Sequence, residues 1–496
     1  MRRDHAVPVL LTGFAGNKAR LADAIEVAVV GGGLAGLAAA TVLAERGARV
    51  TVIESEHYLG GRLGAWSDCL ADGTPFGMER GFHAFFRQYY NLRALIRRFD
   101  PELGGFDAVP DYPILTPDGG FETFAGLPAR PPWNVAVLTL RTKTMGFLDL
   151  LRVDKRAALE MLRFSREQTF ARFDCRSSES YLDQLNFPPR ARERLLHVFA
   201  HSCFNPQSDM SAAELLQMFH FYFTGNRDGL IFDIANRPFS QAVFDPLERY
   251  LGSFGVAIRR GTSVTALGRE ATGWRVATGE GDLQADAVVL AAHVPAVKAI
   301  VGASTGLDDP AWRARIDSLR ATNAFAVWRL WLDRPAHPGR VPFAGTAGVG
   351  RLDNISLYHL FEDESREWAN RTGGSVVELH AYALPDHVDE AELRADLRRG
   401  LQAIYPEFAG ARVLEDRWLL RADCPSFYPG SAALRPGVGT PWPGLVLAGD
   451  FVSLSLPTAL MERAVTAGFL AASTLLSSYD VAPEPLWSVP PRGVLA

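Results

Sequence analysis

The stretch Val27-Ala-Val-Val-Gly-Gly-Gly-Leu-Ala-Gly36 decides the fold of this chain. A short apolar run enters a glycine-rich turn and then an Ala-rich segment, which Gly47 closes as a predicted helix. Arg49 to Ile53 predicts a second strand, and Glu54 follows it directly. The order of strand, glycine turn, helix and strand closed by an acid is typical of a βαβ unit that binds a dinucleotide.

Each position in this unit has a physical role in binding. Gly31 allows the tight turn, Gly33 lets the backbone approach a pyrophosphate, and Gly36 lets the helix pack against the strand. The amides at the start of the helix, at Leu34 and Ala35, carry partial positive charge and can hold phosphates. The unit therefore predicts a phosphate site at the N-terminus of its helix.

The residues after the second strand indicate which dinucleotide binds. Glu54 can accept hydrogen bonds from a ribose 2′-hydroxyl. Gly60 and Gly61 then let the chain pass against a phosphate, while Arg62 supplies positive charge. Enzymes that use nicotinamide lack this second element as a rule, so the pattern favours FAD.

A third motif near the end of the chain supports the same cofactor. Gly444 to Asp450 predicts a strand that closes with Gly449 and Asp450, and Pro457 to Ala472 predicts a helix that carries Met461. A carboxylate at a strand tip beside a helix N-terminus suits the ribityl chain and the anionic edge of reduced flavin. Three distant motifs agree, and FAD is the predicted cofactor.

Composition excludes several other classes of protein. The net charge of −5 leaves no basic excess to neutralise phosphates, so nucleic acid is not an expected partner. The four cysteines form no CxxC pair, and neither a disulfide framework nor a metal cluster is predicted. The longest apolar run, Leu34 to Ala44, is too short to span a bilayer. We expect a cytoplasmic protein, either free or attached peripherally to the inner face of the membrane.

The combined motifs resemble the flavin monoamine oxidase and phytoene desaturase superfamily over residues 25 to 477. The resemblance implies an α/β fold (α+β overall), in which a Rossmann-type FAD-binding domain is interleaved with a substrate domain of mixed sheet plus helices. It also implies that the backbone of Val264 meets adenine, that Asp450 binds the ribityl chain and that Met461 lies near the flavin pyrimidine edge.

The same resemblance implies how the chain divides into domains. The FAD-binding domain would comprise residues 25–99, 240–305 and 426–480. The substrate domain would comprise a helical part, 100–239, and a mixed-sheet part, 306–425. Residues 1–24 and 481–496 would be terminal arms, and the Pro-rich arm after Val481 is expected to be loose.

Residues 78–93, MERGFHAFFRQYYNLR, resemble more narrowly the bacterial aromatic-carotenoid ring synthases, which are β-carotene desaturase/methylases. Phe232 to Phe239 and Leu456 to Arg463 carry the same likeness. The resemblance implies hydride abstraction from a hydrophobic carotenoid substrate, with desaturation and methyl migration that lead to an aromatic ring.

Two rival classes stay open. One is another flavin enzyme on this fold, either an amine oxidase or a desaturase or dehydrogenase of a different natural product or lipid. Amine oxidases typically place a lysine near flavin N5, and the comparable stretch from Arg320 to Trp331 contains none. The other is a non-catalytic protein of this fold, like the prenyl-binding GDP-dissociation inhibitors, but Arg62 and Asp450 would then have no ligand to hold.

The candidate catalytic residues follow the second glycine motif, where the chain of the family turns past the flavin ring. His83 is a candidate base or hydrogen-bond donor, with a structural histidine as the alternative. Arg80 would hold the flavin or a carboxylate, or form a plain ion pair. Glu79 lies beside them, and Asp233 is a further acid/base candidate whose alternative is a turn cap.

Two segments bear on the substrate. Ala212 to Thr224 predicts one strongly aromatic helix, which is either core or one wall of a hydrophobic substrate tunnel. Trp133 to Phe164 mixes cationic residues, Lys143 among them, with aromatic and other apolar residues, Met145 among them, and is either a solvated basic face or a shallow membrane contact.

Overall fold

The computed structural model describes residues 6–9, 16–109, 111–128, 130–142, 147–193, 201, 204–229 and 231–496. A five-stranded sheet is entirely parallel, and its strands come from three separate stretches of the chain. In spatial order they are Ala257–Arg259, Arg49–Ile53, Glu26–Val30, Ala287–Leu290 and Leu445–Leu447.

Two helices pack against each other and against the five-stranded sheet, because their small residues allow close approach. Leu34–Glu45 is buried along almost its whole length. Leu460–Ser477 packs against it so closely that a Cβ at Gly468 would lie 2.2 Å from the carbonyl oxygen of Ala35. Both helices and the apolar strands of this sheet contribute to the largest hydrophobic core of the described chain.

A seven-stranded sheet forms the second layer. Its spatial order is Val413–Arg421, Ala324–Leu332, Ser375–Leu384, Asn354–Leu357, Phe343–Thr346, Ile114–Leu115 and Phe121–Glu122. One pair, Phe343–Thr346 with Ile114–Leu115, is parallel and the others are antiparallel, so the sheet is mixed. One face packs its apolar side chains against the helix Glu390–Ile404 in a separate core.

The helical layer lies between positions 133 and 252 of the described chain. Its α-helices are Trp133–Arg141, Phe147–Arg152, Lys155–Glu160, Arg166–Phe173, Ser178–Leu185, Pro189–Ala191, Ala212–Phe219 and Asp245–Gly252. The predicted single helix from Ala212 to Thr224 changes type: Ala212–Phe219 is α-helical and His220–Thr224 is a π-helical turn. The wider turn buries all five of its residues, with His220 stacked on Phe164.

Smaller elements complete the described chain. The remaining strands are Val7–Val9, Ala65–Cys69, Pro75–Glu79, Phe85–Phe86, Phe106–Val109, Phe232–Ala235, Val264–Arg269, Trp274–Thr278, Leu283–Ala285 and Leu486–Ser488. The remaining α-helices are Tyr90–Ile96, Val294–Ala303, Pro310–Ser318, Asp363–Thr372 and Ser431–Leu434. Short 3₁₀ turns are Gly61–Leu63, Gln207–Asp209, Tyr358–Leu360 and Pro406–Phe408, and Ser240–Phe244 is a second π-helical turn.

The expectation of a loose C-terminal arm is wrong. Leu486–Ser488 pairs antiparallel with Val7–Val9, and Val489 is completely buried. The amides of Gly493 and Leu495 donate to the carbonyls of Phe164 and Leu162. The arm is held because it buries apolar side chains and satisfies its backbone donors. The other predicted domain boundaries remain a prediction.

No helix within the described ranges has both the length and the hydropathy needed to cross a membrane.

Candidate active site

A cavity of about 930 Å³ lies between the two large sheets. Val30, Ile53 and Ala291 border it, each at or just beyond the carboxyl end of a parallel strand. Open parallel sheets bind their ligands at this edge, because the helix N-termini and the loops converge there. We call this part of the cavity the cofactor corner, and it contains the glycine motifs.

Two glycines of this region cannot be replaced by larger residues, because neighbouring atoms occupy the place of a Cβ. Gly31 has φ +110°, and a Cβ there would lie 2.7 Å from the carbonyl oxygen of Ala291. A Cβ at Gly36 would lie 2.0 Å from the carbonyl oxygen of Gly31, so helix and turn can pack only without a side chain. Gly33, in contrast, faces open space, where a Cβ would meet only the Cα of Gly61, at 3.9 Å. The backbone itself is thus the wall of the cavity.

Two further features suit this corner to a pyrophosphate. Gly33 caps the helix Leu34–Glu45 without a side-chain hydrogen bond, and Leu34 and Ala35 border the cavity. The first amides of a helix lack partners within the helix and attract anions. Gly60, at φ +107°, and Gly61 border the cavity beside this turn, where the amide of Gly60 donates to the carbonyl of Gly32 at 2.8 Å, so two backbone segments meet the same space.

Glu54 borders the cavity at the end of its strand. Its carboxylate is buried and accepts hydrogen bonds from the amides of Gly32, at 2.6 Å, and Glu56, at 2.8 Å. These bonds fix the carboxylate at the rim of the corner, where a ribose hydroxyl could reach it. Val264 borders the same region. The described geometry therefore offers a ribose and adenine pocket.

Arg62 and Asp450 meet across the cavity although 388 residues separate them in the chain. Two hydrogen bonds, at 2.8 and 2.6 Å, join the guanidinium to the carboxylate. Burial alone would lower the pKa of Arg62, but Asp450 outweighs it and holds that pKa above its usual range. Gly449 and Met461 border the cavity beside the pair. This donor and acceptor set fits a flavin nucleotide.

His83 and Arg80 lie further along the same cavity. The Nδ1 atom of His83 donates to the carbonyl of Gly81 at 2.7 Å, and burial lowers the pKa of the imidazole to about 4. His83 is therefore neutral, with Nε2 as its acceptor nitrogen. Arg80 is paired with Asp423 at 2.7 Å, so its charge is compensated.

Two other sequence candidates are engaged elsewhere. Glu79 accepts from the amide of Phe239 at 2.8 Å and pairs with Arg329 at 3.3 Å, and burial raises its pKa to about 7. Asp233 lies within a buried strand, where it pairs with Arg87 and Arg93. Neither borders the cavity, and both are ion-pair partners.

The far part of the cavity is lined by aromatic rings. Phe82 stacks on Phe343, with centroids 4.4 Å apart, and Phe219 stacks on Phe223 at 5.1 Å. The aromatic helix predicted from Ala212 to Thr224 thus supplies part of the wall. An apolar, enclosed volume of this kind suits a hydrophobic ligand.

One helix connects the cavity with the surface. Val135 and Leu138 of Trp133–Arg141 border the cavity, while Trp133 is 65% exposed and Leu140 is 77% exposed. Lys143 and Met145, which belong to the predicted membrane contact, lie outside the described residues.

A polar row on the seven-stranded sheet was missed by the sequence analysis. Glu378, His380 and Tyr382 alternate along Ser375–Leu384, and the last two border the cavity. Alternate residues of a strand share one face, so the pattern of three polar residues in an apolar strand could have identified them. Arg329 on the neighbouring strand donates to Glu378 at 2.8 Å.

Comparison with known proteins agrees with these observations. The family model described as flavin containing amine oxidoreductase matches residues 34–476. The carotenoid phi-ring synthase of Streptomyces griseus is 46% identical over 95% of this chain and 91% of its own length. The carotenoid phi-ring synthase of Chlorobaculum tepidum is 29% identical over the same shares.

A solved structure of putrescine oxidase bound to putrescine is similar in fold. It has a TM-score of 0.68 and 16% identity, and the match covers 92% of this chain and 99% of that one. At this identity the likeness concerns the fold alone. The predicted fold class is confirmed.

Proposed function

The chain belongs to the flavin-containing amine oxidoreductase family and is an FAD-dependent oxidoreductase, and we propose that it desaturates the end ring of a carotenoid. The observation that carries this proposal is the aromatic part of the cavity, which continues without a partition from the cofactor corner. The likeness to the carotenoid phi-ring synthase of Streptomyces griseus supports the same substrate class.

In the proposed complex, the cofactor corner binds FAD. The amides of Leu34 and Ala35, with the open backbone of Gly33, Gly60 and Gly61, hold the pyrophosphate.

At the two ends of the corner, side chains complete the proposed site. Glu54 binds the ribose hydroxyls, and the backbone of Val264 meets adenine. Asp450 meets the ribityl chain, Arg62 orients that carboxylate through two hydrogen bonds, and Met461 with Gly449 borders the ring.

The cofactor supplies a hydride acceptor for an activated C–H bond. Loss of hydride from a ring joined to a polyene leaves an allylic cation, which permits migration of a neighbouring methyl group. Loss of a proton then restores a double bond. The protein must exclude water, orient the ring and receive the proton, and the aromatic walls perform the first two tasks.

We assign His83 and Arg80 to the support of this cation. The low pKa of His83 keeps the imidazole neutral, so its nitrogen lone pair attracts the developing positive charge and adds no repulsion. Arg80 would repel a cation if unpaired, but Asp423 neutralises it at 2.7 Å.

The exposed face of Trp133–Arg141 is proposed to contact lipid. Its Trp133, Leu140 and Arg141 are exposed on the helix whose Val135 and Leu138 border the cavity. In the next described helix, Phe147–Arg152, Leu151 is 57% exposed and Arg152 is exposed. Apolar side chains flanked by cations suit a shallow contact with an anionic membrane. A lipid-dissolved polyene would then reach the cavity without crossing water.

The test is expression of the chain in cells that accumulate β-carotene, followed by pigment analysis. We expect carotenoids with aryl end rings from the wild type and a reduced yield of them from Asp450→Ala, which should bind FAD more weakly. As a control, Asp282→Ala removes an exposed carboxylate from a distant hairpin and should retain the products. Unchanged β-carotene together with oxidation of amines by the purified flavoprotein would overturn the proposal.

A further inference from the structure

A continuous line of hydrogen bonds runs from the cavity into the sheet. The hydroxyl of Tyr382 lies 2.6 Å from Nδ1 of His380, and Nε2 of His380 lies 2.8 Å from Glu378. We call these three residues the relay. They occupy positions i, i+2 and i+4 of one strand and therefore share one face of the sheet.

The direction of each hydrogen bond in the relay follows from its partners. Burial alone would raise the pKa of Glu378, but Arg329 and the bonds from His380 lower it to about 2, so the carboxylate can only accept. Nε2 of His380 must then be the donor, which leaves Nδ1 as an acceptor. Tyr382 therefore donates its hydroxyl proton to Nδ1.

Tyr382 keeps one acceptor position for the cavity. Asn354 donates to its oxygen at 2.8 Å, and the hydroxyl proton is given to His380. A tyrosine oxygen has two lone pairs, so one is left over. Tyr382 is only half-buried and borders the cavity, where Phe204 packs against its ring at 4.8 Å.

The backbone is irregular at this residue. Two residues, Tyr382 and Ala383, oppose the single residue Phe325 on the adjacent strand, which makes a β-bulge. Ala383 has φ +48°, a conformation that residues other than glycine rarely adopt. Bulges of this kind re-aim side chains and occur next to active sites.

Glu378 is held more firmly than packing alone would require. It accepts from the amide of Phe82 at 2.7 Å and from Arg329 at 2.8 Å, and Tyr358 lies at 3.2 Å. A buried carboxylate fixed in this way stabilises a positive charge on the adjacent imidazole, as the acid does in a catalytic triad.

We propose that the relay receives the proton that the substrate loses during desaturation. This inference rests on the proposed function. A hydride leaves one ring carbon for FAD with its electron pair, and a proton leaves the neighbouring carbon for the oxygen of Tyr382. The original hydroxyl proton of Tyr382 passes at the same time to Nδ1 of His380. The electron pair of the C–H bond that loses its proton becomes the new C=C bond. His380 is left as an imidazolium beside Glu378.

His83 is less suited to receive this proton, although it borders the same cavity. Burial lowers its pKa to about 4, so the protonated ring is poorly stabilised there, and no carboxylate of the described residues forms a hydrogen bond with it. His380, in contrast, gains its proton beside an ionised partner at 2.8 Å. Gly81, at φ +111°, leaves room for the ring of His380, since a Cβ there would lie 2.9 Å from it.

The test compares purified wild type, Tyr382→Phe and His380→Gln, each reconstituted with FAD and supplied with β-carotene in liposomes. Phenylalanine keeps the ring of Tyr382 but cannot pass a proton, and glutamine cannot hold the proton that His380 takes. We expect turnover to fall about 100-fold or more in both variants. FAD content and the dissociation constant for β-carotene should stay at the wild-type values.

A solvent isotope effect supplies a second measurement. The proton that moves between Tyr382 and His380 exchanges with water, so wild-type turnover should slow in D₂O and the residual turnover of Tyr382→Phe should not. The matched control is Tyr405→Phe, which removes a buried hydroxyl in the core on the other face of the sheet, where it has no hydrogen-bond partner among the described residues. It should retain both the rate and the isotope effect.

The outcomes separate the two proposals. If the wild type leaves β-carotene unchanged, the proposed function fails. If the wild type forms product and both relay variants match its rate, the relay is overturned while the function stands. Loss of β-carotene binding or of FAD in Tyr382→Phe would also overturn it, because the residue would then be structural.

Discussion

The cofactor corner and the relay occupy two ends of one cavity and are built in opposite ways. The corner presents backbone from contiguous motifs, with glycines wherever a side chain would fill the space. The relay and its partners, Arg329 and Glu79, are ionisable side chains brought together from distant parts of the chain. A site built of backbone can therefore lose one side chain and still fold, whereas a buried charge destabilises the protein when its partner is removed.

The largest expected effect comes from breaking the buried charge cluster. Arg329→Leu leaves Glu378 and Glu79 without their cation and should lower the free energy of unfolding by about 3–5 kcal/mol. Denaturant unfolding of the FAD-loaded protein measures this loss in the free energy of unfolding. Arg371→Leu, which breaks an exposed pair with Asp72 at 3.9 Å, should change stability by less than about 1 kcal/mol. Equal losses in the two variants would contradict the comparison.

The next largest effect is the pH dependence of the free energy of unfolding, which again arises from a buried side chain. The pKa of His83 falls from 6.5 to about 4 on folding, so below pH 6.5 the unfolded chain binds a proton that the folded chain does not. Above pH 6.5, protonation of His83 therefore does not lower the free energy of unfolding. Between pH 6.5 and about 4, the free energy of unfolding falls as the pH decreases.

This loss amounts to about 3 kcal/mol for His83. His83→Gln should flatten the decrease in unfolding free energy between pH 6.5 and 4, as measured by denaturant titration at each pH. His337→Gln, at an exposed histidine, serves as the control and should leave the slope unchanged. A His83→Gln slope identical to that of the wild type would refute this assignment.

A smaller effect is expected from the cofactor corner. Glu54→Ala and Asp450→Ala each remove a charged hydrogen-bond partner worth about 1.5–3 kcal/mol, so FAD should bind about 10- to 100-fold more weakly. The ratio of flavin absorbance to protein after dialysis measures this loss. If both variants keep stoichiometric FAD, these residues do not hold the cofactor.

The smallest effect on the folded protein should come from the exposed apolar face. Trp133→Ser combined with Leu140→Ser should change the unfolding free energy by less than about 0.5 kcal/mol. Binding to anionic liposomes, measured by cosedimentation, should nevertheless weaken about tenfold or more. The comparable exchange Leu434→Ser, at an exposed leucine elsewhere, is the control. Unchanged cosedimentation of the double variant would refute the proposed contact with lipid.

Sequence reasoning succeeded where function depends on contiguous backbone. The motifs at Gly31–Gly36, Gly60–Arg62 and Gly449–Asp450 together predicted FAD, the family and the fold class, and all three predictions are confirmed. The roles of Glu54 and Asp450 stay predictions. Sequence reasoning failed at the C-terminal arm, because proline content says nothing about the strand Val7–Val9 that pairs with it.

The relay was missed for a related reason. Val376 to His380 is a predictable strand with alternating polar and apolar side chains. Only the structure shows that the helix Glu390–Ile404 covers its apolar face and that its polar face meets the cavity. A buried Glu378 is also indistinguishable in sequence from a surface acid until Arg329 is placed beside it.

The cofactor, the family and the parallel sheet could be predicted from the sequence, because each glycine turn requires residues without side chains at fixed positions. Such short motifs are recognisable without knowledge of the rest of the fold. The tertiary structure alone decided where charge is buried, which face of the second sheet meets the cavity and how the C-terminal arm is held. Those features depend on desolvation and on partners far away in the chain, and no local pattern records either.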